Sequence, residues 1–135
     1  MDLQKLVDAM GEAGRTQRSN YHLTLGGLIA ELEKAKPDAP VIFDSGEHPG
    51  SPLSYRGYYS DLAFRLTDKP VTVAVMRAWA KAALGTSFEG YKGGDFLMEA
   101  DTPLWASNYG TNSGRAIISV SIEGNGVILM TKEID

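Results

Sequence analysis

Ile118-Ser119-Val120-Ser121-Ile122-Glu123-Gly124-Asn125-Gly126-Val127-Ile128-Leu129-Met130 is the stretch whose reading decides the fold. Apolar and polar residues alternate with the two-residue period of a half-buried strand. Gly124-Asn125-Gly126 then turns the chain into a second apolar run, Val127 to Lys132. A terminal β-hairpin implies antiparallel pairing, and the shorter apolar runs upstream extend the sheet. Leu104 to Ser107 and Phe96 to Met98 flank the turn residues Asp101, Thr102 and Pro103, Asp61 to Thr67 is a further strand, and Val41 to Phe43 sits between Pro40 and Asp44. Ser45 to Tyr59, rich in Gly, Pro and Ser, reads as a long loop.

Two segments carry the helical period. Thr24 is placed to cap a helix with Leu25, Leu28, Ile29 and Leu32 on one face and Glu31, Glu33 and Lys34 turned away, stopped by Pro37. Thr72 caps a second, in which Val71, Val75, Ala78, Trp79 and Ala82 line one side, Met76, Ala80 and Leu84 widen it, and Arg77 and Lys81 form the wet edge. Near the start of the chain Leu3, Leu6, Val7 and Met10 make a short amphipathic stripe closed by Gly11 and Gly14. Arg15 to Asn20 has no apolar residue to bury and reads as a polar tether. Helices and strands do not alternate strictly and no repeat is visible, which predicts an α+β domain over residues 21–135. Its sheet is expected to be mainly antiparallel with helices packed on one face, and residues 1–20 are expected to form a separate helix and tether whose stripe covers either the chain's own core or a neighbouring subunit, the second making it an oligomerisation element.

With 135 residues the chain makes one core, and 43% hydrophobic against 22% charged residues places it among folded proteins. A net charge of -4 argues against general nucleic-acid or anionic-membrane binding, which rests on neutralising phosphate. The absence of cysteine removes disulfides, thiolate metal sites and cysteine nucleophiles. No signal peptide or span-length apolar run is visible, so a cytoplasmic protein is expected. There is no phosphate-binding P-loop, no dinucleotide fingerprint and no nucleophile elbow, so no cofactor and no catalytic residue is assigned. His22-Leu23-Thr24 matches half of a two-histidine phosphoesterase motif without its second half. Asp44, Glu47, His48 and Asp61 fit no metal-ligand spacing and read as solvated loop charges.

Three segments concentrate binding chemistry. Ser54-Tyr55-Arg56-Gly57-Tyr58-Tyr59-Ser60-Asp61 offers a guanidinium for a phosphate and tyrosines for a base. Phe88-Glu89-Gly90-Tyr91-Lys92-Gly93-Gly94-Asp95-Phe96 offers a lysine beside a glycine nest. Trp105, Asn108 and Arg115 bracket a turn able to read a base edge and meet a phosphate. A purely structural reading stands beside this one: the tyrosines pack, Arg56 pairs with Asp61 or Asp44, the glycines turn the chain, and Trp105 faces the core.

The first two segments resemble a small uncharacterised family of bacteriophages and actinobacterial genomes, whose signature S-Y-R-G-x-Y-x-D-L-A-F runs here from Ser54 to Phe64. Its second part, A-L-G-x-x-[FY]-x-G-Y-K-G-G-D-F-x-M, runs from Ala83 to Met98. The resemblance covers roughly Thr24 to Trp105, so Met1 to Tyr21 is expected to be an added element. It implies a phage protein acting in the bacterial host cytoplasm. By analogy with phage sponge proteins that sequester cyclic-nucleotide immune signals, it implies a homo-oligomeric, non-catalytic anti-defence protein holding a small anionic nucleotide. The expected ligand-binding residues are Tyr55, Arg56, Tyr58, Tyr59, Tyr91, Lys92, Gly93, Gly94, Trp105, Asn108 and Arg115. The alternatives are a protein-binding inhibitor or adaptor using Tyr55, Tyr58, Tyr59 and Trp105, and an unfamiliar hydrolase using Asp61, Asp95 or His48.

Overall fold

A computed structural model describes residues 18–134 of the chain. The stripe Leu3 to Met10 and the start of the tether lie outside the described residues. The first helix, α1 (Leu25–Glu33), begins as its sequence dictates: the Thr24 hydroxyl accepts a hydrogen bond from the Gly27 amide, and Leu25, Leu28 and Leu32 are buried. β1 (Pro40–Phe43) follows, then β2 (His48–Tyr55), β3 (Tyr58–Thr67), the two-residue β4 (Val71–Thr72) and α2 (Val73–Ala83). β5 (Ser87–Glu89) and β6 (Asp95–Leu97) form a small separate hairpin. β7 (Leu104–Ala106), β8 (Arg115–Glu123) and β9 (Gly126–Lys132) complete the chain.

The main sheet has seven strands in the order β2-β3-β7-β8-β9-β1-β4. Most neighbours are antiparallel, but β3 with β7 and β9 with β1 run parallel, so the sheet is mixed. Parallel neighbours need a long crossover, and β3 reaches β7 by way of β4, α2 and the small hairpin.

Four local expectations change. Ser45 to Tyr59 is mostly strand rather than loop: β2 pairs with β3 from His48↔Thr67 to Tyr55↔Tyr58, with a register shift between Pro49 and Pro52. β2 lies at the edge of the sheet, where a proline interrupts no inner ladder. The buried side of α2 is Val73, Met76, Ala80 and Ala83, while Val75 is 43% exposed and Trp79 only half-buried. The terminal hairpin forms, but its turn is tighter than expected. Glu123 pairs with Gly126, and positive φ is confined to Gly124 at +53°, as a two-residue II′ turn requires. A register shift between Ile117 and Ser119 breaks the alternation of β8, so Val120 joins one apolar cluster and Ile118 the other.

Those two clusters place the site. The larger gathers Leu25, Leu28, Leu32, Val73, Met76 and Ala80 from the helices with Val41, Phe43, Leu62, Phe64, Leu104, Ile117 and Leu129 from the strands. The smaller contains no helix residue: Tyr55, Ala63, Trp105 and Ala116, with Leu53 and Ile118 against them. Ala63 and its neighbours Leu62 and Phe64 on β3 thus divide between the two clusters, as a strand covered on both faces must. Among the described residues no helix is long and apolar enough to cross a membrane.

Candidate functional site

The smaller cluster floors a cleft of about 350 Å³ lined by Arg18, His22, Tyr55, Tyr58, Trp105, Asn112, Ser113, Gly114, Glu133 and Ile134. Its aromatic wall is layered. Trp105 is 4% exposed and stacks on Tyr55 with ring centroids 4.4 Å apart. Tyr58 lies 6.0 Å away on Trp105 at a low interplanar angle, and His22 meets the same indole at 4.5 Å, tilted. The Tyr55 hydroxyl accepts a hydrogen bond from the Gly114 amide at 2.9 Å, fixing the far lip of the cleft to this wall. Burial holds the Tyr55 phenol above its ordinary pKa, against the opposing pull of that hydrogen bond.

Behind the wall sits Asp61, fully buried. Its Oδ2 accepts from Arg18 Nε at 2.6 Å and from Trp105 Nε1 at 2.9 Å, and its Oδ1 accepts from Arg18 Nη2 at 2.8 Å. The Arg18 guanidinium lies 4.0 Å over the Tyr58 ring. Arg18 is held in turn by its backbone: its carbonyl accepts from the amides of Tyr21 and His22 and from His22 Nδ1 at 2.9 Å. A carbonyl only accepts, so Nδ1 carries the imidazole proton. Nε2 is buried without a hydrogen-bond partner among the described residues. Burial is the main reason the His22 pKa falls below 6.5. The hydrogen bond to Arg18 and the Asp61 charge oppose it, and the Arg18 charge reinforces it. The amide of Leu23 donates to Ile117 O and its carbonyl accepts from the Leu104 amide, so the segment entering α1 is stitched to β7 and β8.

Residues 18–20 are therefore not a free tether. The sequence offers no apolar anchor there, and the docking is ionic and hydrogen-bonded: Arg18 on Asp61, and Ser19 Oγ donating to Asp101 O at 2.7 Å. Nor is Asp61 a solvated loop charge or the partner of Arg56. A fully buried carboxylate on β3, just before Leu62-Ala63-Phe64, needs a paired cation, and Arg18 supplies it.

Arg56 does other work. Its Nη1 donates to Gly110 O at 2.8 Å and its guanidinium sits 4.2 Å over the Tyr91 ring, which contacts Tyr109 at 5.3 Å. Tyr59 meets Phe96 at 5.5 Å. The three segments singled out in the sequence thus converge: the β2–β3 turn, the β5–β6 tip and the loop after β7 meet around Arg56. Tyr55, Tyr58 and Trp105 line the cleft beside this cluster. Lys92 is exposed at the hairpin tip, where Gly93 and Gly94 have φ of +93° and +82°.

Asn108 and Arg115 lie toward a neighbouring cleft of about 290 Å³, which shares Ser113, Gly114 and Glu133 with the first. Asn108 Oδ1 accepts from the Leu66 amide. Arg115 is engaged too: Nε donates to Thr131 Oγ1 at 3.0 Å, and Nη1 is 3.6 Å from Glu133. Asp44 accepts from both Thr131 N and Thr131 Oγ1. Burial opposes its ionisation, but these bonds, with Arg115 nearby, hold its pKa below the ordinary value.

Sequence reasoning missed Arg18 and His22 as parts of the site, whereas Asn112 to Gly114 lie on the turn between Asn108 and Arg115 that it had singled out. The legible signal was Asp61, a lone charge preceding Leu62-Ala63-Phe64 in a strand. The chain matches no protein-family model, no curated protein and no solved structure.

Proposed function

We propose that this chain is a non-catalytic binding protein that captures a small anionic nucleotide. The carrying observation is the cleft wall of Tyr55, Tyr58, Trp105 and His22, a stack of aromatic faces opening on a polar lip of Asn112, Ser113 and Gly114. Of these rings Tyr58, 48% exposed, keeps the open surface on which a base can pack, while amide and hydroxyl groups of the lip meet the base edge. A volume of about 350 Å³ is of the scale that holds a small ligand. Arg56 and Lys92 on the neighbouring turns and Arg115 at the start of β8 are offered as cationic side chains for phosphate, although none of them lines the cleft itself. The resemblance of Ser54 to Phe64 and Ala83 to Met98 to a bacteriophage family supports placing this activity in an infected bacterial cytoplasm. There a homo-oligomeric sponge would withdraw a cyclic-nucleotide immune signal.

Calorimetry with AMP, GMP, cyclic AMP, cyclic GMP and cyclic di-AMP tests the reading. Binding of at least one, with the ligand recovered intact after denaturation, supports it. Conversion to product makes the protein a hydrolase. The absence of binding across the panel hands the site to the second reading, a protein-binding inhibitor. That reading is favoured by one observation: Tyr58, Tyr91 and Tyr109 are 48%, 39% and 66% exposed around Arg56, the residue types that anchor protein interfaces.

A further inference from the structure

We infer that Arg18, backed by Asp61, is a ligand-contacting residue of the cleft and receives the phosphate of the nucleotide, an inference that rests on the nucleotide reading. The ion pair is oriented. The Asp61 side chain is 0% exposed, whereas that of Arg18 is 17% exposed and forms part of the cleft lining. The negative end is sealed in the protein and the positive end reaches the cavity, so an incoming anion meets the cation first, at the shorter distance and with the larger interaction. Asp61 uses Nε and Nη2 of the guanidinium; Nη1 lies outside the pair.

The group is also preorganised. Trp105 Nε1 fixes the carboxylate, the carboxylate fixes the guanidinium at two nitrogens, and the Tyr58 ring underlies its plane at 4.0 Å. A ligand contacting Arg18 therefore orders no long side chain, the usual cost of recruiting a surface arginine. Stability alone does not explain the pair. An apolar pair of similar volume among Tyr55, Trp105 and His22 would stabilise the fold as well or better, because the desolvation of two charges is not fully repaid by their attraction. Glu133, the other charge lining the cleft, has a side chain 82% exposed and lies 3.6 Å from Arg115, so water and Arg115 weaken its repulsion of an anion.

The test compares the tightest binder of the nucleotide panel named above with its uncharged nucleoside, adenosine or guanosine, on the full chain and two variants. Arg18→Ala alone would strand a buried carboxylate, so the first variant is Arg18→Met with Asp61→Asn, which removes both charges together. The second is Arg18→Lys, which keeps a counter-charge for Asp61. Nucleotide affinity should fall at least about tenfold in the double variant, the scale of one lost charge-assisted hydrogen bond, while nucleoside affinity stays unchanged. Arg18→Lys should show a smaller, phosphate-dependent loss, and it decides the matter if the double variant does not fold. Unchanged nucleotide affinity in the folded variants overturns the role of Arg18 and leaves the nucleotide reading standing, whereas equal wild-type affinity for nucleotide and nucleoside overturns both the role of Arg18 and the recognition of an anionic ligand. If the wild type binds no nucleotide at all, both fall.

Discussion

Arg56 joins three loops through one guanidinium, so its removal should be felt twice. Arg56→Ala loses the bond to Gly110 O and the contact with the Tyr91 ring, which at a half-exposed position is worth about 1 to 2 kcal/mol and is read as a modest fall in melting temperature. If it also meets phosphate, nucleotide affinity falls by about tenfold or more in calorimetry. A stability loss with affinity intact makes Arg56 purely a loop tie. His22 gives a pH signature. Its folded pKa lies below the unfolded value of 6.5, so its share of stability is complete above that pH and is lost as pH falls from 6.5 through the folded pKa. His22→Phe should flatten the fall of melting temperature as the pH drops below 6.5 relative to the wild type. Gly57 gives a third test. A Cβ there would stand 2.6 to 2.7 Å from the Tyr55 ring and 2.9 Å from its hydroxyl, and that side chain is held by Trp105 on its ring and the Gly114 amide on its hydroxyl. Gly57→Ala should shift Tyr55 and perturb the fluorescence of Trp105; unchanged emission would show that the turn absorbs the methyl group.

At the level of elements, α2 offers the sharpest contrast. Met76 is fully buried and Val75 is 43% exposed on the same helix. Met76→Ala should cost about 2 to 5 kcal/mol and Val75→Ala about 0.5 or less by denaturant unfolding, with Trp79→Ala between them. The sequence of α2 hides this phase because two apolar stripes compete: Val75, Ala78, Trp79 and Ala82, or Val73, Met76, Ala80 and Ala83. Alanine marks neither, and only the sheet beneath decides. β2 was hidden for a different reason. Pro49, Gly50 and Pro52 are loop residues by local preference, and an edge position with a register shift makes them tolerable in a strand. Where local chemistry suffices, as at the Thr24 cap, the Thr72 cap and the Gly124-Asn125 turn, the elements were legible. The site was legible as three segments, but the ion pair behind its aromatic wall was not, because Arg18 and Asp61 stand 43 residues apart and nothing local pairs them.

For the whole molecule, the sequence places an apolar stripe at Leu3, Leu6, Val7 and Met10, and Arg18 marks where the described body begins. If the stripe joins subunits, the full chain is an oligomer in light scattering and a version lacking residues 1–17 is smaller, with Arg18 retained so that Asp61 keeps its partner. A monomeric full chain refutes the self-association.

The sheet order has a kinetic consequence. Val41 pairs with Val127 and Phe43 with Leu129, and β9 is the neighbour that links β1 and β4 to the rest of the sheet. A ribosome makes β1 early, yet the parallel neighbour that β1 needs does not exist until residue 129 has been synthesised. β2 can pair with β3 and β1 with β4 as soon as those strands are made, but the other edge of β1 must wait with its hydrogen-bonding groups unpaired. Such long-range closure slows folding toward the millisecond-to-second range, because the sheet is joined across β9 only when the chain is almost complete. The folded state is therefore reached only after a lag set by the chain's own topology.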